Sequence, residues 1–226
     1  MFCDDLRKLL PVYKNICYVK GSYTVHEPSA DSKVKDITWN NANFQVFNPD
    51  IAKDLTAFFQ SAKSGDIFWF NCDGVFLFQG DNSKKYLFLC ELKSTFDSSD
   101  IYHASNQINS TYIKLSMILN LLPNFRKDEV IVKGFIISRP PKKNYLRELH
   151  KQSMMGNKSK FTTESEFCYD LCYGGEQTYV VDFKHCHQFK NIPLGAETIV
   201  EQIEFHHIAV EEPNTSITVD VMQYVE

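Results

Sequence analysis

The sequence lacks the long apolar run and the export signal that would place a protein in a membrane or outside the cell. No stretch approaches the roughly 18 to 20 apolar residues that cross a bilayer. The N-terminus, MFCDDLRKLL, carries two acids where a signal peptide has basic residues, and no apolar segment with a small-residue cleavage site. We therefore expect a cytoplasmic protein that makes no membrane contact.

An excess of positive charge and an ordered cysteine pattern are absent as well. The 24 Lys and Arg residues are outnumbered by 28 Asp and Glu residues, and the net charge is −4. Proteins that bind nucleic acid are usually basic because phosphate neutralisation supplies much of their affinity, so a binding surface of that kind would have to be local. The seven cysteines are scattered and odd in number, and without an export signal they are interpreted as reduced thiols.

What is present is an ordinary globular composition in a chain of 226 residues, 43% hydrophobic and 23% charged. This length is enough for one domain with a substantial core. No internal repeat, low-complexity tract or linker divides the chain. We therefore treat residues 1–226 as a single domain.

Periodicity and turn residues predict the order helix, strand, strand, helix, strand in the middle of the chain, which is a mixed α/β arrangement. A first helix is expected to open at Asn48-Pro49-Asp50, and the longest helix spans residues 100–122. Strands are expected at Val12–Val19, Tyr23–His26, Phe44–Phe47, Ile67–Gln79, Lys85–Ser94 and Glu129–Ser138. The remaining expectations are a basic amphipathic helix at Asn144–Met155, extended segments at Tyr179–Phe183 and Ile217–Tyr224, and a helix at Ala196–Phe205.

One predicted hairpin carries acids in otherwise apolar strands. If the numbers of paired residues add up to 164, Gln79 faces Lys85 and Asp73 lies opposite Glu91, with Cβ atoms about 4.5–5.5 Å apart. Side chains alternate along a strand, so Lys93 projects to the same side as Glu91. Two carboxylates this close repel each other unless a cation shares them, and oxygen ligands favour magnesium or manganese.

A simpler interpretation of the same residues is structural. Asp73 would begin a turn with Gly74, while Glu91 and Lys93 would form an exposed cross-strand charge pattern. Apolar strands rarely contain acids unless these are paired or functional, which favours the metal site.

The triplet Cys72-Asp73-Gly74, followed by Cys90-Glu91-Leu92-Lys93-Ser94-Thr95, resembles the PD-(D/E)XK phosphodiesterase superfamily of restriction endonucleases and resolvases. The resemblance covers residues 50–140 and includes the helix before the acidic strand, the hairpin, and the long helix after it. It departs from the usual pattern in having Cys72 instead of proline before the first acid. The fold it implies is a restriction-endonuclease-like core, a mixed central sheet flanked by helices, with N- and C-terminal additions.

The resemblance also implies roles for individual residues. Asp73 and Glu91 bind the metal together with the backbone carbonyl of Leu92, and Lys93 positions the attacking water. Gln107, on the long helix, matches a polar position that many members use near the catalytic lysine. Some members supply a further acid from the first helix, and Asp54 is the only candidate within that helix.

The activity implied is magnesium- or manganese-dependent endonuclease cleavage of DNA, in restriction, phage defence or repair. The metal and Lys93 would share the charge that develops on the phosphate. Two alternatives stay open: a catalytically inactive protein that reuses the fold to bind nucleic acid or a partner, and an RNA-directed nuclease. Cutting both strands of a duplex often involves two active sites, so a homodimer or a partner subunit is a further expectation.

Two clusters of lysines are candidates for nucleic-acid binding through phosphate contacts. Lys84 and Lys85 lie at the predicted hairpin tip, and Lys142, Lys143 and Lys151 follow the last strand of the core. A solvated basic helix explains the second cluster equally well.

A zinc site is a weaker hypothesis. Cys168 and Cys172 are one helical turn apart, and His185 and His187 follow on one face of an expected strand. The spacing fits no common zinc module well, and the alternative is two buried thiols beside a polar strand end.

Overall fold

A mixed β-sheet forms the centre of the computed structural model, which describes residues 2–11, 16–48, 51, 54, 68–154, 161–173, 178–182, 195 and 197–226. Its strands within these ranges are β1 (Cys17–His26), β2 (Asp36–Phe47), β3 (Gly74–Gln79), β4 (Lys85–Leu92), β5 (Val130–Ser138), β6 (Thr178–Asp182), β7 (Gln202–Ala209) and β8 (Ser216–Asp220). The helices are α1 (Phe2–Leu9), α2 (Ser98–Leu119), α3 (Lys143–Met154) and α4 (Thr163–Tyr173). The fold is therefore α/β, with helices flanking an open mixed sheet.

The order of the strands places α2 over the hairpin formed by β3 and β4. The order is β1-β2-β3-β4-β5-β7-β6, and β8 pairs with the first half of β2. Strands β1 to β4 are antiparallel neighbours, whereas β4, β5 and β7 are parallel. Parallel neighbours need a crossover connection, and α2 supplies the one between β4 and β5. α2 therefore packs on the strand that carries Glu91.

Hydrophobic cores lie on both faces of the sheet, because side chains alternate along each strand. Leu77 of β3 belongs to the core on the helix side, whereas its neighbour Phe78 belongs to an aromatic core on the other side. In the aromatic core the rings of Trp39 (β2) and Phe135 (β5) have centroids 4.8 Å apart, although two strands separate β2 from β5. The sheet is therefore strongly bent, and the first half of β2 folds over the aromatic face of the strands at its centre.

Two glycines permit close approaches around the hairpin. A Cβ atom on Gly134 in β5 would lie 3.0 Å from Cγ2 of Ile108 in α2. A Cβ atom on Gly74, the first residue of β3, would lie 2.4 Å from Cγ2 of Val25 near the end of β1. Cβ atoms rarely or never approach other atoms this closely. Glycine at these positions therefore lets α2 pack close to the sheet and lets the end of β1 pack against the start of β3.

Most of the expected elements are confirmed, with adjusted bounds. The long helix is α2, the basic helix is α3, and the extended segment at Tyr179–Phe183 is β6. The expected strand at Phe44–Phe47 is the end of the longer β2. Of the first expected helix, only Ile51 and Asp54 are among the described residues. Residues 12–15 of the strand expected at Val12–Val19 also lie outside the described residues.

The single strand expected at Ile67–Gln79 is wrong in extent. β3 begins only at Gly74, and the described residues before it, 68–73, are not strand. The physical reason is that side chains of α2 take up backbone hydrogen bonds of residues 68–72, which leaves no ladder for them to join.

Two expectations near the C-terminus are also wrong. The described part of Ala196–Phe205 is a turn followed by β7, whose backbone pairs with β5 and β6. The extended segment at Ile217–Tyr224 ends at Asp220, where a 3-10 turn begins. The Asp220 carboxylate accepts a hydrogen bond of 2.9 Å from the backbone N–H of Met222 and so caps that turn.

Within the described ranges, no helix combines the length and the hydropathy that crossing a bilayer requires.

Candidate active site

Asp73 lies where β3 meets the loop before it, one residue outside the strand ladder. The hairpin has the expected register, with Gln79 opposite Lys85. The Asp73 N–H continues the hairpin by donating to the carbonyl of Cys90 across 2.9 Å. The side chain turns toward β4, where Oδ2 accepts a hydrogen bond of 2.7 Å from the N–H of Leu92. Asp73 is thus held against the Glu91-Leu92-Lys93 segment through both its backbone and its carboxylate.

Glu91 is a buried acid on the face of β4 that α2 covers. Its side chain is 2% exposed, and Oε1 accepts a hydrogen bond of 2.7 Å from Nζ of Lys93. No donor among the described residues reaches its second oxygen, Oε2. The interpretation of Glu91 as part of an exposed charge pattern is therefore wrong.

The electrostatics of this pair reflect burial and mutual repulsion. Burial raises the pKa of Asp73 to about 6, although the N–H of Leu92 opposes the rise. Burial also raises the pKa of Glu91 to about 8, and the neighbouring Asp73 charge adds to the rise while Lys93 opposes it. The two carboxyl groups lie close enough that each changes the pKa of the other. Close carboxyls that both resist ionisation form a pair that a proton or a cation must share.

Lys93 is held by a side chain from α2 as well as by Glu91. Its Nζ donates to Oε1 of Gln107 across 2.7 Å, and its backbone N–H donates to the carbonyl of Ile137 in β5. Gln107 in turn donates from Nε2 to the carbonyl of Asn71 across 3.0 Å. The structure therefore brings together Asp73, Glu91, Lys93 and Gln107, the four residues predicted as catalytic.

The chemistry of these donors fits a hard divalent cation. Two carboxylates converge, and the Glu91 Oε2 atom is buried without a partner among the described residues. Leu92, whose backbone carbonyl is the third predicted ligand, lies between Glu91 and Lys93 at the end of β4. The described part of the chain contains no group of three or more His, Cys, Asp and Glu side chains that could hold a metal. The site would therefore bind a metal through two carboxylates, with other ligands from the backbone and from water. Mg²⁺ suits such a site because it commonly keeps waters and substrate phosphate as its remaining ligands.

Two neighbours of the site were not among the predicted site residues. Glu27 follows β1 directly, and its charge raises the pKa of both Asp73 and Glu91. His103 lies one helical turn before Gln107, and burial together with the Lys93 charge lowers its pKa. His103 is four residues before Gln107 on the same helix, and this spacing alone indicates that the two share a face. No pattern in the sequence links Glu27 to a hairpin so far along the chain. Asp54, the candidate acid of the first helix, is exposed.

The two lysine clusters lie in different places. The start of α3 lies near the loop between β4 and α2, because the centroids of the Tyr145 and Phe96 rings are 6.0 Å apart. The second cluster, Lys142, Lys143 and Lys151, is exposed there without ion pairs to any described residue. The first cluster lies at the other end of the hairpin: Lys85 is six residues from Glu91 along β4, about 20 Å away, and pairs with Glu129 at 2.8 Å.

The described half of the predicted zinc site is one pair of thiols. Cys168 and Cys172 lie on α4, and burial raises the pKa of each to about 12. His185 and His187 fall outside the described residues. Neutral thiols with such pKa values match the interpretation as apolar filling of the core between α2 and α4.

Comparisons of the chain with protein-family models, with curated proteins and with solved structures found no match. A function is therefore inferred from the chemistry of the site together with the motif that the sequence carries.

Proposed function

We propose that the protein is a magnesium-dependent nuclease with a restriction-endonuclease-like core, whose active site consists of Asp73, Glu91, Lys93 and Gln107. The observation that carries the proposal is the state of Glu91. Its carboxylate is 2% exposed, has one oxygen without a partner among the described residues, and lies against a second carboxyl group. Burying two carboxylates together costs free energy, and a divalent cation between them offsets that cost.

Each residue has a distinct role in this proposal. Asp73, Glu91 and the backbone carbonyl of Leu92 would hold Mg²⁺ or Mn²⁺, which when bound lowers the pKa of a coordinated water and polarises a phosphate oxygen. Lys93 directs its ammonium group into the same site, where it stabilises negative charge on the phosphate during attack. Gln107 accepts a hydrogen bond from Lys93 and so fixes the position of that ammonium group.

DNA is the substrate that we favour, and the exposed basic residues of α3 support a nucleic acid. They include Arg147 as well as Lys143 and Lys151, on a helix whose first turn lies near the loop that follows Lys93, in a protein whose net charge is −4. A concentration of positive charge beside the site allows phosphate contacts despite an acidic chain. A role in restriction, phage defence or repair, with a second copy or a partner subunit for double-strand cleavage, extends the same proposal.

A cleavage assay on labelled DNA and RNA of the same sequence tests the function. We expect cleavage of DNA that requires Mg²⁺, stops with EDTA and is abolished in Lys93→Ala. The matched control is Lys8→Ala, which removes an exposed lysine of α1 that belongs to neither predicted nucleic-acid-binding cluster and should cleave like the parent protein. Cleavage of RNA but not of DNA would show that the protein is an RNA-directed nuclease. Binding of nucleic acid in Ca²⁺ without cleavage in Mg²⁺ or Mn²⁺ would identify a catalytically inactive binding protein.

A further inference from the structure

Helix α2 holds the chain segment that leads into Asp73. This segment, residues 68–72, is not part of a strand, and its backbone polar groups are bonded by side chains of α2. The bonds are those from Lys114 Nζ to the carbonyls of Phe68 (3.2 Å) and Phe70 (2.5 Å), from Ser110 Oγ to the carbonyl of Phe70 (3.0 Å), from Gln107 Nε2 to the carbonyl of Asn71 (3.0 Å), and from the Cys72 N–H to Oγ1 of Thr111 (2.8 Å).

Lys114 is an unusual residue for this place. Its side chain is fully buried, and besides the two carbonyls its ammonium group donates to Oδ1 of Asn71. The ammonium group therefore donates to three oxygens of the 68–72 segment. A buried ammonium group carries a large desolvation cost, and an apolar side chain could fill the same volume without it. What the lysine provides, and an apolar residue does not, is a fixed path for the backbone of this segment.

Thr111 extends the same hold to the residue beside Asp73. Its hydroxyl group donates to the carbonyl of Gln107 across 2.8 Å, which orients the oxygen so that it accepts the N–H of Cys72. The next N–H along the chain, that of Asp73, bonds to the hairpin instead. The backbone therefore passes from α2 to the hairpin between Cys72 and Asp73, and both attachments determine where the Asp73 carboxylate lies.

We propose that Thr111 and Lys114 are positioning residues of the active site, which hold the 68–72 segment so that Asp73 meets Glu91 at the spacing that one divalent ion needs. This inference rests on the proposed function, because it assigns the two residues to the same metal site. Residues that orient metal ligands from behind typically change metal affinity or activity by about 10- to 100-fold when they are removed.

Binding of Mn²⁺, followed by electron paramagnetic resonance, tests the inference without requiring activity. The key variant is Thr111→Val, which keeps the shape of the side chain and removes the acceptor for Cys72. We expect Mn²⁺ affinity to fall by about 10-fold or more, and Thr111→Ser, which retains the hydroxyl group, to restore it. In the cleavage assay, Thr111→Val should need more Mg²⁺ for half-maximal rate while the KM for nucleic acid stays unchanged. Lys114→Met removes three of the bonds to the 68–72 segment and should lower Mn²⁺ affinity at least as much as Thr111→Val. Its melting temperature is measured alongside, so that loss of metal binding is distinguished from loss of folding.

The matched control is Ser116→Ala, which removes a buried hydroxyl group of α2 that donates only within the helix, to the carbonyl of Ile113. This variant should bind Mn²⁺ like the parent protein. Asp73→Asn is the reference for the site itself. If Asp73→Asn weakens Mn²⁺ binding and a folded Thr111→Val does not, the positioning role is overturned while the nuclease proposal stands. If Asp73→Asn leaves Mn²⁺ binding unchanged, both are overturned.

Discussion

The backbone N–H of Leu92 donates a hydrogen bond of 2.7 Å to Oδ2 of Asp73, across the open end of the β3–β4 hairpin. Leu92 lies between Glu91 and Lys93, so this bond holds the first acid close to both of the other charged residues. It also opposes the effect of burial on the pKa of Asp73, because a donated hydrogen bond favours the ionised carboxylate. The hairpin therefore keeps one acid of the pair closer to ionisation than the other.

The first prediction concerns pH and the stability of the metal-free protein. The pKa values of Asp73 (about 6) and Glu91 (about 8) in the folded state lie above those in the unfolded chain. Between the two sets of values the folded state binds more protons, so the free energy of unfolding falls as pH rises from about 4 to about 8. Thermal unfolding in EDTA should show a melting temperature that decreases over this range, with a smaller decrease in Glu91→Gln.

Mg²⁺ provides the internal control for that prediction. A cation competes with protons for the pair, so added Mg²⁺ should raise the melting temperature more at about pH 8 than at about pH 6. An equal effect of Mg²⁺ on the parent protein and on Glu91→Gln would mean that the ion binds elsewhere.

The second prediction concerns Lys93. Removing charge stabilisation at a phosphoryl transition state typically costs about 3–4 kcal/mol, so Lys93→Ala should reduce kcat roughly a hundred- to a thousand-fold. The same change removes the hydrogen bond to Oε1 of Glu91, so the pKa of Glu91 should rise further. Half-maximal Mg²⁺ binding should therefore shift to higher concentration at neutral pH and recover partly in alkaline buffer. Unchanged Mg²⁺-dependent turnover would exclude Lys93 as the catalytic lysine.

The third prediction concerns the contact between β1 and the start of β3. Gly74→Ala would place its Cβ atom 2.4 Å from Val25, so the strands must separate. Overpacking of this kind typically costs about 1–3 kcal/mol in the free energy of unfolding, measurable by urea denaturation. Adding Val25→Ala should recover part of this stability, because the two changes meet at one contact. Gly195→Ala is the control, since the one described atom near its Cβ position is Oγ1 of Thr198 at an ordinary contact distance of 3.7 Å. Additive effects of the first two changes would place the strain elsewhere.

The sequence predicted the hairpin and its charged residues because their positions depend on local alternation and a tight turn. It did not predict where β3 begins, because the run from Phe68 to Asp73 looks like any apolar strand. Its backbone partners are side chains of α2, such as Thr111 and Lys114, which no local pattern connects to it. β7 was mistaken for a helix for a related reason: its neighbours β5 and β6 come from distant parts of the chain.

The position of Glu27 could not be predicted either. It depends on the end of β1 packing against Gly74, a contact between the outer antiparallel strands and the hairpin. Its influence on the pKa of both active-site carboxyl groups follows from that packing alone. Residues that influence the site from a distant part of the chain become visible only once the bend of the sheet is known.

The last prediction concerns which lysines bind nucleic acid. The lysines of α3 and Lys142 just before it are exposed, have no ion pairs to described residues, and belong to a helix whose first turn lies near the loop that follows Lys93. Lys85, in contrast, pairs with Glu129 at the far end of the hairpin. A triple alanine variant of Lys142, Lys143 and Lys151 should therefore bind duplex DNA more weakly and with less dependence on salt. For every phosphate that the variant no longer neutralises, the slope of log affinity against log salt concentration should decrease by about 0.9.

The measurement is a salt titration of binding, with Ca²⁺ in place of Mg²⁺ so that the DNA is not cut. The matched control is the double variant Lys84→Ala/Lys85→Ala, which also removes positive charge but about 20 Å from Glu91 along β4. Its slope should change less than that of the triple variant, because Lys85 already pairs with Glu129 and so has less charge to offer a phosphate. A reduced slope in the double variant and an unchanged slope in the triple variant would reverse the assignment. Nucleic acid would then approach along the hairpin tip, and the basic face of α3 would be a solvated helix surface.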